Sequence, residues 1–320
     1  MHRTLIEKVS AGNFVDAIVN GNIRALRLFP KSDLHNHCLL GGKRTIVEAY
    51  TGKRITPFKS KGTGISSLNQ WIVKEIRPLF NLPGTFEIGV EAAFMQAKKD
   101  GVTLLEMSID ALFGHMFNIP PEQIIAVLKE SHHRVAPGID FRPELGFSRS
   151  QPLAILLPFV ESYLQTGYFR SIDLYDDEFA QPIGNFKELY RTAKKLGIKC
   201  KAHAGEFGTA DSVVEAVEIL ELDAVQHGIG AADSPHAMKW LSDHNIQLNV
   251  CPTSNIRLKR VKSYKTHPLR ILFDHGIRVT VNTDDALIFG DGVSEQFKKL
   301  YTSGLFNANE LEIIRQNGLS

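Results

Sequence analysis

Cysteine is scarce in this sequence, and its few thiols have no paired spacing. The 320 residues include only Cys38, Cys200 and Cys251, and no two of them form a CxxC pair. An odd number of thiols without paired spacing fits a reducing compartment better than a disulfide framework. The same scarcity argues against a structural zinc or iron–sulfur site built from thiolates.

Long apolar runs are also missing. No stretch of about 18 apolar residues occurs, so the sequence predicts no transmembrane helix. The first 26 positions lack the apolar core of a secretory signal, because charged residues interrupt them, among them Glu7, Lys8, Asp16 and Arg24. Together with the cysteine usage, these absences predict a cytoplasmic protein without a membrane partner.

The chain carries little net charge. Its 37 lysines and arginines nearly balance 35 aspartates and glutamates, which leaves a formal charge of +2. A balance this close to zero argues against a broad surface for nucleic acid or anionic lipid. We therefore expect no nucleic-acid partner.

What the sequence does contain is a regular alternation of short apolar runs and amphipathic segments. Each apolar run is typical of a strand that is buried on both faces. The predicted strands are residues 29–37, 102–109, 140–147, 169–175, 198–203, 224–227, 246–251 and 278–282. The clearest predicted helices are residues 85–99, 121–132, 184–196 and 211–220, the last with Asp211 as its N-cap.

Eight strands alternating with helices predict an α/β fold, a (β/α)8 TIM barrel, with a doubly wound parallel sheet as the alternative. We interpret residues 1–320 as a single barrel domain that begins with a helical extension over residues 1–28. A barrel places its functional side chains at the C-terminal ends of the strands.

The unusual polar residues of the sequence fall at predicted strand ends. His35 and His37 lie two residues apart at the end of the first strand, so both side chains point to the same face. The ends of the fifth, sixth and eighth strands would meet them at one mouth and supply His203, Glu206, His227, Asp284 and Asp285. Imidazole and carboxylate are ordinary ligands of Zn²⁺, although ligand type alone does not exclude Fe²⁺, Mn²⁺ or Co²⁺. The sequence therefore predicts a metal site that keeps one position for water.

The other histidines fall in predicted helices or loops. We interpret all eight as solvated or structurally bonded: His2, His115, His132, His133, His236, His244, His267 and His275. Of these, His115 and His267 are the two whose loops could lie above the mouth. We interpret Cys251, which begins the loop after the seventh strand, as a small buried hydrophobe.

Six short stretches together resemble the adenosine/AMP deaminase family of metal-dependent hydrolases. In chain order they are PKSDLHNH at 30–37, SIDLYDDE at 171–178, HAGE at 203–206, QHG at 226–228, CPTSN at 251–255 and NTDDA at 282–286. They have the order and spacing of that family and cover the chain from about residue 29 to its end. The resemblance implies a TIM barrel, one zinc ion per chain and hydrolytic deamination of a 6-aminopurine nucleoside or nucleotide.

The resemblance also implies a role for each matched residue. The zinc ligands that it implies are His35, His37, His203 and Asp284. Glu206 would protonate N1 of the purine, His227 would hold and deprotonate the attacking water, and Asp285 would bind the purine. The chemistry needs these residue types, because zinc lowers the pKa of bound water towards about 7 and a buried carboxylic acid keeps its proton.

The residues after the first strand depart from the family pattern. Leu39 stands where adenosine deaminases have an aspartate that binds the ribose 5′-hydroxyl, and leucine cannot accept that hydrogen bond. Lys43 and Arg44 follow closely; we interpret them as a solvated pair that opens a helix, with a 5′-phosphate contact as the alternative. We therefore expect poor activity on adenosine.

Other predicted substrate contacts lie after the fourth strand and in a helix over the mouth. Asp176 replaces a glycine that the family places beside purine N3, and a carboxylate there would favour an extra donor on the ring. Leu68 and Trp71 belong to the segment that forms an apolar gate over the substrate in the family, with packing in the core as the alternative.

The sequence therefore predicts a zinc-dependent aminohydrolase with a small-molecule aminopurine as its partner. Two other interpretations stay open, a metal hydrolase of the wider amidohydrolase type with another C–N substrate and a catalytically silent ligand-binding barrel. A silent barrel would be marked by the loss of a ligand or of Glu206, and none is lost.

Overall fold

The computed structural model describes residues 13–62, 64–80 and 84–320. Within them, eight parallel strands follow one another around a sheet in chain order. The strands are β1 Lys31–His37, β2 Val102–Asp110, β3 Asp140–Ser148, β4 Ser171–Tyr175, β5 Lys199–Ala204, β6 Ala224–His227, β7 Gln247–Val250 and β8 Val279–Val281.

The first and last strands meet, so the sheet forms a nearly closed barrel. The N–H of Leu34 donates to Oδ1 of Asn282 at 2.8 Å, just beyond the end of β8. Further along, Asn36 and Asp284 form a parallel bridge, and the N–H of Asp284 donates to the carbonyl of His35 at 2.9 Å. The predicted TIM barrel is confirmed, and its closure brings the end of β1 beside the residues that follow β8.

Helices connect the strands and pack around the barrel. The α-helices are Phe14–Val19, Ile23–Leu26, Arg44–Thr51, Ser66–Trp71, Arg77–Phe80, Thr85–Asp100, Phe113–Phe117, Pro121–Val135, Leu153–Leu164, Lys187–Lys195, Ala210–Leu220, Pro235–Asp243, Pro252–Arg257, Leu269–Asp274, Ala286–Phe289, Val293–Thr302 and Ala308–Asn317. Within the described ranges there are also one π-helical turn, Ile72–Ile76, and three 3₁₀ turns, Ile183–Phe186, Ile229–Asp233 and Tyr264–Thr266. None of the described helices is long and apolar enough to cross a bilayer.

The predicted elements agree with the structure to within two or three residues, but one predicted cap is wrong. Thr209 is the N-cap of the helix Ala210–Leu220, because its hydroxyl accepts the N–H of Ser212. Asp211 instead lies in the first turn, where its charge favours the positive end of the helix dipole. Residues 1–12 of the predicted N-terminal extension, including His2, lie outside the described residues.

The interior of the barrel beneath the mouth is polar. Lys201 on β5 donates to Oε2 of Glu106 at 2.7 Å and also pairs with Glu144, and all three side chains are buried. Nδ2 of Asn249 donates to Oε1 of Gln226 at 2.9 Å in the same interior. Because buried charges destabilise a fold unless they are paired, these contacts fix how the strands are arranged below the mouth.

Candidate metal and active site

The mouth of the barrel gathers side chains from three strands and from the turn after a fourth. Nε2 of His35 lies 3.1 Å from Nε2 of His203 and 3.7 Å from Oδ1 of Asp284. Nε2 of His37 lies 3.3 Å from the same carboxylate oxygen. Donor atoms about 2.1 Å from a zinc ion in tetrahedral geometry lie about 3.4 Å apart, so these four side chains are spaced to bind one ion.

In the rings of His203 and His35, the hydrogen-bond partner of Nδ1 determines which nitrogen carries the proton. Nδ1 of His203 faces Oδ1 of Asp173 at 3.2 Å, and Nδ1 of His35 faces the backbone carbonyl of Asn249 at 3.3 Å. A carboxylate and a carbonyl only accept, so each neutral ring carries its proton on Nδ1. The two Nε2 atoms then present lone pairs to each other, and these repel unless a cation lies between them. The residues present therefore fit a metal ion, with Asp173 and Asn249 orienting two of its ligands.

Within the cluster of histidines and carboxylates, His227 and Asp284 have backbones in the left-handed region. The φ angle is 63° at His227 and 59° at Asp284. Each non-glycine residue there costs about 1–2 kcal/mol, and such strain is retained where the surrounding structure holds it. The hydrogen bond from Asp284 to His35 is one such restraint. Both strained residues place their side chains in the mouth.

Glu206 is buried beside His227, and three contacts fix its position. Its N–H donates to Oε1 of Glu178 at 2.8 Å, and its carbonyl accepts from Nε of Arg260 at 2.7 Å. Its Oε1 accepts from Nδ2 of Asn255 at 3.2 Å. The other carboxyl oxygen, Oε2, lies 3.5 Å from Nε2 of His227.

The protonation of these groups follows from their burial. Burial raises the pKa of Glu206 well above its usual value, and the nearby carboxylates of Asp284 and Glu178 raise it further. Burial lowers the pKa of His227 to about 3, against the opposing effect of Asp284. Burial and the neighbouring Asp284 raise the pKa of Asp285 to about 7. Burial therefore favours the protonated form of Glu206 beside the neutral form of the His227 imidazole.

A cavity of about 420 Å³ opens above these residues. Its size is that of small-molecule sites, and apolar side chains form much of its wall: Leu39, Leu40, Leu68, Ile72, Phe113 and Met116. Asp176 lies on a more polar side, where it accepts from Oγ of Ser148 at 2.6 Å and from Nδ2 of Asn69 at 2.9 Å. Among the described residues that line the cavity, Arg77 is the one lysine or arginine.

A family model described as adenosine deaminase matches residues 85–320 of the chain. The chain belongs to the adenosine deaminase family. It is a hydrolase that acts on carbon–nitrogen bonds. A Treponema pallidum protein assigned as an adenosine/adenine deaminase is 33% identical to it over 292 residues, which cover 89% of this chain and 95% of that protein.

Two solved structures show the same fold. An adenine deaminase from Arthrobacter aurescens has a TM-score of 0.79 and 24% identity, over 91% of this chain and 92% of that one. An amidohydrolase from Burkholderia ambifaria, solved with bound Zn, has a TM-score of 0.78 and 23% identity, over 92% of this chain and 85% of that one. The deaminase family and the TIM barrel expected from the sequence are thus both confirmed.

Three of the predicted substrate contacts of this family member lie in the cavity wall, and one does not. Leu68, Asp176 and Asp285 line the cavity. Trp71 does not, because its Nε1 donates to the carbonyl of Thr56 at 3.0 Å and its ring packs edge-on against Phe58. This position agrees with the alternative of a packing role for Trp71, and its contact with a substrate stays a prediction.

The two basic residues after Leu39 are also outside the cavity wall. Nζ of Lys43 pairs with Oε1 of Glu295 at 2.9 Å. Nε of Arg44 lies 3.9 Å from Oε1 of Glu48, one turn along its own helix. The pair opens the helix Arg44–Thr51, with Lys43 as its N-cap, and this placement leaves the 5′-phosphate alternative without support.

Several residues that hold the site were given no role by the sequence analysis. Glu178 accepts the N–H groups of Gly205, Glu206 and Phe207 at 2.6–2.8 Å, so it shapes the turn that carries Glu206. Asp173, Glu178 and Asn255 lie inside stretches that carry the family resemblance, which was the available signal. His267 lies outside them; it is buried and contacts Asn255.

Proposed function

We propose that this chain is a zinc-dependent aminohydrolase that replaces the 6-amino group of an aminopurine with oxygen and releases ammonia. The observation that carries the proposal is the buried carboxyl group of Glu206 beside His227 and the cluster of metal-binding donors, where burial raises its pKa. A carboxylic acid at that place suits a reaction in which a ring nitrogen must gain a proton.

His35, His37, His203 and Asp284 would hold the zinc. The facing lone pairs of His35 and His203 support this assignment, as does the zinc in the Burkholderia amidohydrolase. When bound, zinc would supply the nucleophile by lowering the pKa of a water molecule towards about 7.

Three neighbouring residues would donate the proton, hold the attacking oxygen and bind the purine. Attack at C6 moves electron density onto N1, and Glu206 donates the proton that N1 then takes up. His227, whose Nε2 faces the same space as Oε2 of Glu206, holds the attacking oxygen. Asp285, in the cavity wall, binds the purine ring. General acid catalysis of this kind contributes about 10²- to 10⁴-fold to the rate.

The cavity favours an aminopurine without a 5′-phosphate, and one other than adenosine. Leu39 offers no acceptor to a ribose hydroxyl, and Lys43 is paired with Glu295 outside the cavity. Arg77, an exposed residue of the helix Arg77–Phe80, is the one lysine or arginine among the described residues that line the cavity. The relatives named above include deaminases of adenine, which lacks both ribose and phosphate.

The experiment is a substrate panel followed by ammonia release, with adenine, adenosine, deoxyadenosine, AMP and N6-modified adenosines. The proposal predicts deamination of at least one 6-aminopurine, with adenosine well below the best substrate. No deamination of any member by zinc-loaded protein would contradict the proposed reaction, and adenosine as the best substrate would contradict the argument from Leu39.

A further inference from the structure

Behind Glu206 and His227 lies a buried pair that does not reach the cavity wall. Asn255 is fully buried, and His267 is 2% exposed. The N–H of Leu269 donates to Nδ1 of His267 at 3.0 Å, and Nε2 of His267 lies 3.3 Å from Oδ1 of Asn255. On its other side, Nδ2 of Asn255 lies 3.2 Å from Oε1 of Glu206 and 3.3 Å from Nδ1 of His227.

The direction of every hydrogen bond in this series follows from its first member. A backbone N–H only donates, so Nδ1 of His267 is an acceptor and Nε2 carries the ring proton. Nε2–H therefore donates to Asn255, which fixes its carbonyl oxygen towards His267 and its NH₂ group towards the active site. Both hydrogens of that NH₂ group then have an acceptor, one on Glu206 and one on His227.

The hydrogen bond from Nδ2 of Asn255 to Nδ1 of His227 sets the tautomer of His227. Because Nδ1 of His227 accepts from Asn255, the neutral ring carries its proton on Nε2. This nitrogen lies 3.5 Å from Oε2 of Glu206 and 3.9 Å from Oδ2 of Asp284. His227 therefore presents an N–H to the reaction space, where it can donate to the attacking oxygen.

We propose that His267 is a positioning residue of the deaminase, which acts through Asn255 to fix the tautomer of His227 and the orientation of the Glu206 carboxyl group. The proposal rests on the function proposed above. It assigns to His227 the orientation of the attacking oxygen as a hydrogen-bond donor, since a protonated Nε2 cannot take a proton.

The contacts around Asn255 fix both its main chain and the orientation of its amide. The backbone carbonyl of Asn255 accepts the N–H groups of Arg260 and Val261 at 2.9 and 3.0 Å, so its main chain is fixed. A flipped Asn255 amide would turn its NH₂ group towards the Nε2–H of His267, so that two donors would face each other and be left unpaired in a buried place. Each such unpaired group costs about 1–3 kcal/mol.

The first test compares His267→Phe with His267→Gln in the zinc-loaded enzyme. Phenylalanine removes both ring nitrogens, whereas the glutamine amide offers an acceptor to Leu269 and a donor to Asn255. We expect His267→Phe to lower kcat about 10- to 100-fold, with KM within about twofold and unchanged zinc content. His267→Gln should recover most of the lost kcat.

His132→Phe is the matched control. Nε2 of His132 lies 2.9 Å from the backbone carbonyl of Ile139, so the substitution removes a ring hydrogen bond at this histidine as well. Its ring packs against Phe94 and Phe141. It lies in the helix Pro121–Val135, outside the cavity wall. This control should keep the wild-type kcat, and thermal unfolding of all three variants shows whether each is folded.

The second test reads the tautomers directly and does not depend on activity. In ¹⁵N-histidine-labelled enzyme, long-range ¹H–¹⁵N spectra should show His267 and His227 each protonated on Nε2, with signals assigned through His267→Gln and His227→Gln. In His267→Phe, the signals of His227 should shift towards a mixture of both tautomers.

Two outcomes would overturn the proposal. One is a wild-type kcat in His267→Phe. The other is an equal loss of kcat in the phenylalanine and glutamine variants with an unchanged His227 tautomer, which would make His267 a packing residue only. If the wild-type chain deaminated no aminopurine, the proposed function would fail, and the nitrogen spectra would still decide whether His267 sets the tautomer of His227.

Discussion

The Nε2 atoms of His35 and His203 face each other at 3.1 Å, and in the neutral rings neither atom carries the proton. Their Nδ1 atoms are committed to the carbonyl of Asn249 and the carboxylate of Asp173, respectively. Bringing two lone pairs this close is unfavourable without a cation between them. The barrel therefore holds these rings ready for a metal, and this arrangement underlies the proposed chemistry.

Removing the acid should separate metal binding from catalysis. We expect Glu206→Gln to lower kcat by about 10²- to 10⁴-fold, because glutamine cannot donate a proton to the purine ring. Zinc content should stay at the wild-type level, since Glu206 is not one of the proposed ligands. Steady-state kinetics together with metal analysis test this, and near-normal turnover would assign the proton to another group.

The carboxylate that orients His203 should control metal affinity. Asp173→Asn replaces a charged acceptor with a neutral amide that can turn its NH₂ group towards Nδ1. We expect about 10- to 100-fold weaker zinc binding in a chelator competition assay. Asp140→Asn, an exposed aspartate at the start of β3, is the control and should bind zinc like the wild type. Equal zinc affinity in both variants would show that Asp173 does not orient His203 for metal binding.

Much of this site could be predicted from sequence because its residues follow a local rule. His35 and His37 are two apart on a strand, and the other catalytic candidates end strands that a barrel must bring together. Trp71 could not be placed in this way, because its orientation depends on a carbonyl at Thr56, which lies in a separate loop. The proposed role of His267 could not be predicted from the sequence either. It depends on a tertiary contact with Asn255, and no motif or spacing in the sequence indicates that contact.

Leu39 should control how the enzyme treats a ribose. We expect Leu39→Asp to raise the ratio of kcat/KM for adenosine to that for adenine, because the carboxylate can accept a hydrogen bond from a sugar hydroxyl. Leu39→Ala is the control, since it enlarges the cavity without adding an acceptor. If the alanine variant raised the ratio as much, steric space rather than hydrogen bonding would explain the preference.

A buried lysine at the other end of β1 should make stability depend on pH. Burial lowers the pKa of Lys31 to about 8 from 10.5, although Asp100 opposes the shift. Between these two values the unfolded chain binds more protons at this lysine, so the contribution of Lys31 to the free energy of unfolding should rise with pH, by up to about 3 kcal/mol. This contribution is lost as the pH falls from 10.5 to 8. Burial raises the pKa of the three cysteine thiols, which opposes the rise, so the contribution of Lys31 is measured as a difference between two proteins. In urea unfolding from pH 7.5 to 10.5, the wild type should gain stability relative to Lys31→Met as the pH rises; an equal pH dependence in the two proteins would assign the effect elsewhere.

Zinc dependence of ammonia release from the best substrate of the panel tests the central claim most directly. The wild-type protein is stripped with a chelator, assayed, and assayed again after addition of zinc, with bound metal measured at each stage. The account predicts negligible release from the stripped protein and full recovery at about one zinc per chain. Undiminished ammonia release from metal-free protein would contradict it.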